Sequence, residues 1–361
     1  MAIIEVPDTK FLVILNDNSD YTLNGEADND YLMGQGGNNK LYGNSGDDTL
    51  EGGDGNDYLS GGVGNDIING GNGFDTAFYT GQVTDYLVSF TSNGKVQVID
   101  TVTGNGNEGT DILSGVEQIN FAGNGVTRIV TGTAANDNLT NDIYWSMMFG
   151  GDGDDTITAA YGNDTLVGGN GRDSLNGGAG YDTAVYTGQV TDYAVSFLSD
   201  GEVQVIDTVS GNGNEGIDTL SGVEQINFAG NGVTRIVTGN GGNDNLINDK
   251  YWSMMYGGDG NDTLTAAYGN DTLVGGNGND VLTGGTGADK FVFNSVSQGI
   301  DVIKDFRSKE DAIIIDSRFG VISSTQFSFD PSNGALSFNG QQFATLENAT
   351  NFTIFIDLRI V

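Results

Sequence analysis

Residues 52–78 read GGDGNDYLS GGVGNDIIN GGNGFDTAF, three consecutive units of the form G-G-x-G-x-D-x-U-x, where U is apolar. Glycine at positions one, two and four permits backbone conformations with positive φ, so the first six residues can form a tight turn. The last three residues then form a short strand whose middle side chain, such as Leu59, points inward. Two units make a coil of 18 residues, and stacked coils form a parallel β-solenoid, or β-roll.

The unit recurs along most of the chain. Residues 77–132 reappear at 184–239, offset by 107 positions, with 48 of 56 residues identical, so the chain contains an internal duplication. Alternating segments such as DYLVSF and KVQVID, on either side of Ser92-Asn93-Gly94, predict antiparallel hairpins between the repeat blocks. The sequence predicts an all-β chain divided into a lead (1–24), β-roll blocks (25–78, 132–185 and 239–292), two duplicated β inserts (79–131 and 186–238) and a C-terminal β cap with its tail (293–361).

The aspartate at position six is the candidate metal ligand. Successive coils place these carboxylates in two columns, and a bare column of like charges repels itself. A hard dication between turns removes the repulsion, and Ca²⁺, which accepts six to eight oxygens, suits carboxylates and turn carbonyls better than Mg²⁺ does. The alternative is that the aspartates only form Asx-turns, but a shared register favours calcium. The predicted metal ligands are Asp30, Asp48, Asp57, Asp66, Asp75, Asp137, Asp155, Asp164, Asp173, Asp182, Asp244, Asp262, Asp271, Asp280 and Asp289.

The nonapeptide resembles the calcium-binding repeat of the RTX family, whose members are exported by type I secretion. The resemblance covers the three blocks, and it implies that each ion lies between turns of successive coils. It predicts about nine Ca²⁺ sites, one for each complete acid pair. These pairs are Asp30 with Asp48, Asp48 with Asp66, Asp57 with Asp75, Asp137 with Asp155, Asp155 with Asp173, Asp164 with Asp182, Asp244 with Asp262, Asp262 with Asp280, and Asp271 with Asp289.

The second unit of every block departs from the pattern. Asn39, Ser146 and Ser253 occupy position six, so these turns are expected to bind calcium weakly or not at all. In blocks two and three this unit reads NDIYWSMMF and NDKYWSMMY. The methionines Met148 and Met255 fall at the inward position, whereas large apolar groups at outward or turn positions either pack against the insert or form a contact surface. The residues at outward or turn positions are Trp145, Met147, Trp252 and Met254.

Composition excludes most enzyme classes. The chain has no Cys and no His, so thiol nucleophiles, zinc-thiolate sites and imidazole acid-base catalysis are unavailable to it. Glu108, Asp111 and Glu117 of the first insert suggest a carboxylate pair or an extra ion site, but we expect them to be solvated surface charges. The formal charge of −36 disfavours nucleic acid and anionic membranes as partners. We therefore expect a protein without catalytic activity.

The ends of the chain suggest a route of export. The N-terminal MAIIEVPDTKFLVILND is unlike a Sec signal peptide, no transmembrane segment is predicted, and the tail NFTIFIDLRIV resembles an uncleaved type I secretion signal. The apolar residues Phe291, Phe293, Ile303, Phe306 and Ile313 are expected to cover the last open coil.

The expected function is that of a secreted or cell-surface structural protein. It would fold on extracellular Ca²⁺ and associate with itself in a filament, surface layer or matrix, through strand-like ends at residues 10–15 and 351–361. One alternative is a calcium-dependent adhesin or carbohydrate-binding module that uses Trp145 and Trp252. The weakest alternative is a non-catalytic fragment of an RTX enzyme.

Overall fold

The structure, a computed structural model, describes residues 2–5, 12–14, 18–91, 93–102, 106–122, 125–141, 145–198, 201–209, 215–228, 232–239, 241–248, 252–316, 319–320, 323–347 and 351–360. Over these residues it is nearly all β and forms a parallel β-solenoid, which confirms the predicted fold class. The chain divides into two compact units, Met1–Gly180 and Tyr181–Val361.

Within the described residues, the first unit contains a 3₁₀ turn at Val83–Asp85 and 21 strands. The strands are β1 (Ala2–Glu5), β2 (Leu12–Ile14), β3 (Tyr21–Asn24), β4 (Tyr31–Met33), β5 (Lys40–Ser45), β6 (Thr49–Asp54), β7 (Tyr58–Val63), β8 (Ile67–Asn72), β9 (Thr76–Tyr79), β10 (Tyr86–Phe90), β11 (Val96–Asp100), β12 (Thr110–Ser114), β13 (Gln118–Phe121), β14 (Gly125–Thr131), β15 (Asn138–Thr140), β16 (Ser146–Asp152), β17 (Thr156–Thr158), β18 (Tyr161–Gly162), β19 (Thr165–Asn170), β20 (Ser174–Asn176) and β21 (Ala179–Gly180).

Two parallel ladders form the faces of the first block. Strands β3, β5, β7 and β9 pair in one ladder, and β2, β4, β6 and β8 pair in the other. The register Leu41↔Leu59 shows that each strand lies one 18-residue coil from its neighbour. In each strand from β3 to β9 the inward side chain is fully buried, as predicted for Leu59, because both ladders enclose one thin apolar core.

The first insert leaves the solenoid and returns to it. Strands β10 and β11 form the predicted antiparallel hairpin, with Phe90 opposite Val96; Ser92 lies outside the described residues. Strand β12 pairs antiparallel with β11 but parallel with β8, and β13 pairs parallel with β9. The end of the insert thus forms a further coil on the block. Strand β14 then pairs parallel with β16, and block two continues through β19 on this face and through β15, β17 and β20 on the other.

The second unit repeats this arrangement and ends in a cap. It has 3₁₀ turns at Val190–Asp192 and Ser324–Gln326 and a single helical turn at Ile354–Asp357. Its strands are β22 (Thr183–Tyr186), β23 (Tyr193–Phe197), β24 (Val203–Asp207), β25 (Ile217–Ser221), β26 (Gln225–Phe228), β27 (Gly232–Thr238), β28 (Asn245–Ile247), β29 (Ser253–Asp259), β30 (Thr263–Thr265), β31 (Thr272–Asn277), β32 (Val281–Thr283), β33 (Lys290–Phe293), β34 (Asp301–Ile303), β35 (Ala312–Ile315), β36 (Phe327–Asp330), β37 (Ala335–Phe338), β38 (Gln341–Leu346) and β39 (Leu358–Ile360).

The cap closes the last coil with a phenylalanine-rich core. All five residues predicted to cover this coil are buried, and they pack with Phe319, Phe338 and Phe343. Strand β38 extends the ladder of β28, β30, β32 and β34, while β39 extends that of β29, β31, β33 and β35. The tail, expected to be a strand, turns once as a helix before β39. None of the helices in the described ranges has the length and apolar character needed to cross a membrane.

Candidate calcium sites

Each nonapeptide turn contains glycines with two different functions. Gly53 and Gly55, at positions two and four, have φ values of 108° and 131°, which L side chains rarely adopt. Gly52, at position one, is instead required by lack of space, because a Cβ there would lie 2.3 Å from Oδ2 of Asp57 and 2.5 Å from the carbonyl oxygen of Gly70. We call this space, between a position-six carboxylate and the position-one carbonyl of the next coil, a cradle, and we name it by its position-one glycine.

The predicted acid pairs are brought together by one repeated hydrogen bond. The backbone N–H of Asp48 donates to Oδ1 of Asp66 over 2.8 Å, so each carboxylate is fixed against the coil before it. The same bond, at 2.7–2.9 Å, joins each predicted pair whose two aspartates both lie in the first compact unit of the chain or both in the second. These pairs are Asp30 with Asp48, Asp48 with Asp66, Asp57 with Asp75, Asp137 with Asp155, Asp155 with Asp173, Asp244 with Asp262, Asp262 with Asp280, and Asp271 with Asp289.

The second carboxylate oxygen is available for a cation. Oδ2 of Asp48 is buried, accepts no hydrogen bond and faces the Gly43 cradle, 2.2 Å from the position of a Gly43 Cβ; the carbonyl oxygen of Gly61 lies 2.5 Å from the same point. A buried carboxylate oxygen without a hydrogen-bond partner is costly, and a hard dication such as Ca²⁺ can take that oxygen as a ligand. Buried Oδ2 atoms that accept no hydrogen bond also belong to Asp57, Asp66, Asp75, Asp155, Asp262, Asp271 and Asp280.

Burial disfavours the ionised form of these aspartates when no cation is bound. It raises the pKa of Asp48 to about 6 and the pKa of Asp66 to about 7, and the neighbouring aspartate in the column adds to each rise. Burial likewise raises the pKa of Asp75 and of Asp289 to about 6. Because the charged form is disfavoured by desolvation and by like charge, a bound dication would stabilise it strongly.

The donor set is that of a hard cation. Among the described residues, no three acidic side chains are placed to hold a metal ion by themselves. Each cradle therefore offers two carboxylates at most, and turn carbonyls such as that of Gly61 would supply further oxygens. An all-oxygen site of this kind fits Ca²⁺, whereas Mg²⁺ retains its waters in a smaller octahedron.

The turns without aspartate have a different arrangement. Nδ2 of Asn39 faces the Gly34 cradle, at 2.6 Å from the Cβ position, and it donates to the carbonyl oxygens of Gly36 and Gly37 over 3.2 and 3.1 Å. An amide donor therefore occupies carbonyls that a cation would use. Ser146 and Ser253 each donate through Oγ to the Asp of the next coil, over 2.7 and 2.8 Å. These contacts support the prediction that the substituted turns bind calcium weakly.

A further nonapeptide lies inside the insert. Residues 106–114 read GNEGTDILS, with Asn107 (φ 51°) and Gly109 (φ 76°) at positions two and four and Asp111 at position six. Oδ1 of Asp111 accepts from the N–H of Asp66 over 2.8 Å, so Asp111 continues the acid column, and the duplicate copy reads GNEGIDTLS at residues 213–221. The G-N-E-G-x-D pattern was the available signal; it is hidden because Asn replaces the second glycine.

The expectation that Glu108 and Asp111 are solvated surface charges is wrong. Both are almost fully buried, and burial raises the pKa of Asp111 to about 8. Glu108 accepts hydrogen bonds from the hydroxyl groups of Tyr86 and Thr80, inside the aromatic core of the insert. Glu117 is partly buried, and its Oε2 accepts from the N–H of Asp75 over 2.8 Å.

Two cap residues end the columns of block three. Oδ1 of Asp301 accepts from the N–H of Asp280, and Oδ1 of Asp311 accepts from that of Asp289, each over 3.1 Å. A positively charged side chain pairs with the column here, because Nη2 of Arg307 lies 3.6 Å from Oδ2 of Asp289. Sequence reasoning missed both acids because they lie 21 and 22 residues from their partners rather than 18.

The YWSMM units divide between core and surface. Met148 is fully buried as predicted, and Met147 is buried as well, which agrees with the packing alternative and not with an exposed contact surface at this position. Trp145 is 44% exposed, while Phe149 packs against Phe90 of the insert hairpin, with ring centroids 5.4 Å apart. Tyr144 and Tyr251 lie outside the described residues. The second compact unit repeats this arrangement: Met254 and Met255 are buried, Trp252 is exposed, and Tyr256 packs against Phe197.

A family of known repeats matches the nonapeptide turns. The RTX calcium-binding nonapeptide repeat family matches the chain in four copies, at residues 22–41, 42–77, 149–184 and 256–291. No curated protein matches the chain. Among solved structures, similarity is found to an extracellular lipase from Serratia marcescens, with 19% identity, a TM-score of 0.33, and coverage of 65% of this chain but 38% of the lipase. A subunit of the Azotobacter vinelandii mannuronan C5-epimerase is 26% identical with a TM-score of 0.26, over 33% of this chain and 78% of that subunit.

Proposed function

Because the chain carries RTX calcium-binding nonapeptide repeats, we propose that it is an extracellular structural protein that folds on calcium and then associates with itself. One observation carries the proposal. In coil after coil, a buried Oδ2 without a hydrogen-bond partner, such as that of Asp57, faces a backbone carbonyl across a cradle that a methyl group would not fit.

Calcium binding and folding are coupled by this arrangement. The cradles form only when consecutive coils are stacked, so an unfolded chain has no equivalent site. The formal charge of −36 opposes stacking until cations are bound. Binding free energy therefore becomes folding free energy, and the solenoid is stable where calcium is abundant.

The same coupling supports export. Extracellular calcium modules work at roughly millimolar calcium, far above the level at which cytosolic sensors respond. A chain that stays open inside the cell is suited to passage through a narrow exporter, and it would acquire its solenoid after release. We propose type I secretion, on the resemblance of the tail to signals of that route and on the family to which the repeats belong.

Self-association is proposed through strand edges and repeated surfaces. Strand β1 pairs in parallel with β3 in the first unit, and β39 pairs in parallel with β35 in the second. The terminal strands of a ladder present backbone groups to which another chain can add. The helical turn before β39 also exposes Phe355 (80%) and Ile356, apolar groups suited to contact with another copy.

We also propose that the protein has no catalytic activity. The chain has neither His nor Cys. The buried carboxylate of Glu108 is engaged by Tyr86 and Thr80, which assigns it a structural role in the insert core. The acids of the columns are held by backbone N–H groups within the stack, as Asp66 is by Asp48. A column acid on a cation ligates and stabilises rather than transferring protons.

Exposed aromatic side chains favour a second candidate function, glycan binding. Trp145 and Tyr161 are 44% and 64% exposed in the first unit, and Trp252 and Tyr268 repeat them in the second. Exposed aromatic faces stack on the apolar faces of sugar rings. A glycan array with the wild type and with Trp145→Ala plus Trp252→Ala tests this candidate, which predicts binding that the double variant loses.

Calcium titration monitored by circular dichroism and light scattering tests the proposed function. The proposal predicts that β signal and particle size both rise with calcium, and that electron micrographs show assemblies only in its presence. A folded chain that stays monomeric with and without calcium would contradict both the coupling and the assembly.

A further inference from the structure

The last aspartate of the first block meets a partner from the insert. One coil beyond Asp75 the chain is inside the insert hairpin, yet β13 returns parallel to β9 with Gln118 opposite Thr76. This register places Glu117 at position six of the next coil. Oε2 of Glu117 accepts from the N–H of Asp75 over 2.8 Å, just as Oδ1 of Asp75 accepts from the N–H of Asp57 over 2.7 Å.

The insert also supplies the carbonyl that closes the next cradle. The Cβ position of Gly70 lies 1.9 Å from the carbonyl oxygen of Gly115 and 2.7 Å from Oδ2 of Asp75. The Gly52 cradle has the same two kinds of atoms, Oδ2 of Asp57 and the carbonyl of Gly70. Gly115 therefore stands where the position-one glycine of another nonapeptide would be.

Asp75 has an oxygen directed into this cradle. Its side chain is fully buried, and its Oδ2 has no hydrogen-bond partner. Oδ1 is fixed by the backbone of Asp57, which leaves Oδ2 as the free ligand. The Gly70 cradle is thus lined by a buried carboxylate oxygen without a hydrogen-bond partner, and it lies at the end of the family match that covers residues 42–77.

We propose that the insert completes a calcium site in which Asp75, Glu117 and the carbonyl of Gly115 bind one Ca²⁺. The site rests on the proposed calcium function of the repeats and extends it beyond them. Two carboxylates and a carbonyl are hard oxygen donors that balance a dication. The insert is then a part of the calcium stack, and its return to the solenoid is coupled to metal binding.

Bound calcium per chain, measured at saturation by equilibrium dialysis with elemental analysis, tests this site. Glu117→Gln keeps an acceptor for the Asp75 N–H but removes the charge, and it is expected to lower the calcium content by about one ion. Glu51→Gln, on β6 and outside any cradle, is the matched control and should bind as the wild type does. Asp57→Asn reports on a nonapeptide site and should also lose calcium.

The outcomes separate the two proposals. If Glu117→Gln keeps its full calcium content while Asp57→Asn loses calcium, the insert site is overturned and the repeat function stands. If the wild type binds no calcium, the repeat function fails and the insert site fails with it. Should Glu117→Gln lose its β signal in saturating calcium, Gly70→Ala fills the same cradle without replacing either acid. Loss of about one ion in that variant supports the site, and full calcium content overturns it.

Discussion

Asp48 and Asp66 lie one coil apart, and the backbone N–H of Asp48 donates to Oδ1 of Asp66 over 2.8 Å while Oδ2 of each acid remains buried without a partner. One oxygen thus sets the spacing of the stack and the other is left for a cation. The two oxygens of one carboxylate thus have different functions, and the expected effects of mutation, pH and calcium follow from that difference.

Removing one column charge should uncouple the fold from calcium locally. In Asp48→Asn, the amide can donate to turn carbonyls as that of Asn39 does. We expect a lower calcium content and a metal-free state more stable by ~1–3 kcal/mol, since a buried unsatisfied group is removed. Urea denaturation with and without calcium measures both effects. A metal-free stability equal to or below that of the wild type would contradict the prediction.

The reverse change should create a site. Asn39→Asp would place a carboxylate oxygen at the Gly34 cradle, opposite the carbonyl of Gly52, and would pair with Asp57. We expect about one additional calcium ion per chain and a less stable metal-free state, because a like charge joins the column. Asn38→Asp, at an exposed neighbouring position, is the control. Unchanged calcium content in Asn39→Asp would show that position six does not decide binding.

Filling a cradle should block its cation. The φ of Gly52 is outside the left-handed region, so alanine is compatible with the backbone, but its Cβ would lie 2.3 Å from Oδ2 of Asp57. We expect Gly52→Ala to lose about one ion and to raise the calcium concentration needed for folding. Val63→Ala, at the exposed end of β7, should leave the titration unchanged. Identical titrations for the two variants would count against the cradle as the binding position.

Without calcium, protonation of the column aspartates is expected to stabilise the fold. Burial raises the pKa of Asp48 to about 6 and of Asp66 to about 7, above the ~4 of an unfolded chain, so the folded state binds more protons. The stability of the metal-free fold is therefore greatest at low pH and is lost as the pH rises through 6 to 7. Melting in metal-free buffer should occur at a higher temperature at about pH 5 than at about pH 7.5. With calcium, the order should reverse, because protons compete for the ligands; the opposite pair of trends would refute this picture.

The coils and the acid pairs could be predicted from the sequence because both follow from local spacing. Glycine at fixed positions sets the turn, and Leu59 in the strand sets the inward face, so stacking brings Asp57 near Asp75. Nothing beyond the nine-residue period was needed for these contacts.

The acids supplied by the insert and the cap could not be predicted in this way. Asp111 lies 45 residues after Asp66, and Glu117 lies 42 residues after Asp75. The insert hairpin lies between the two members of each pair, and its length sets both separations. Asp301 and Asp311 reach their columns through cap loops of irregular length. The sequence also left open whether Met147 is buried or exposed, because a period that assigns inward positions within one coil does not show what covers the outer face of that coil.

Anomalous diffraction from crystals grown in calcium tests the central claim most directly. The account predicts anomalous difference peaks in the cradles, as between Oδ2 of Asp57 and the carbonyl of Gly70, and none beside Nδ2 of Asn39. A folded chain in saturating calcium with no peak between these oxygens would contradict it.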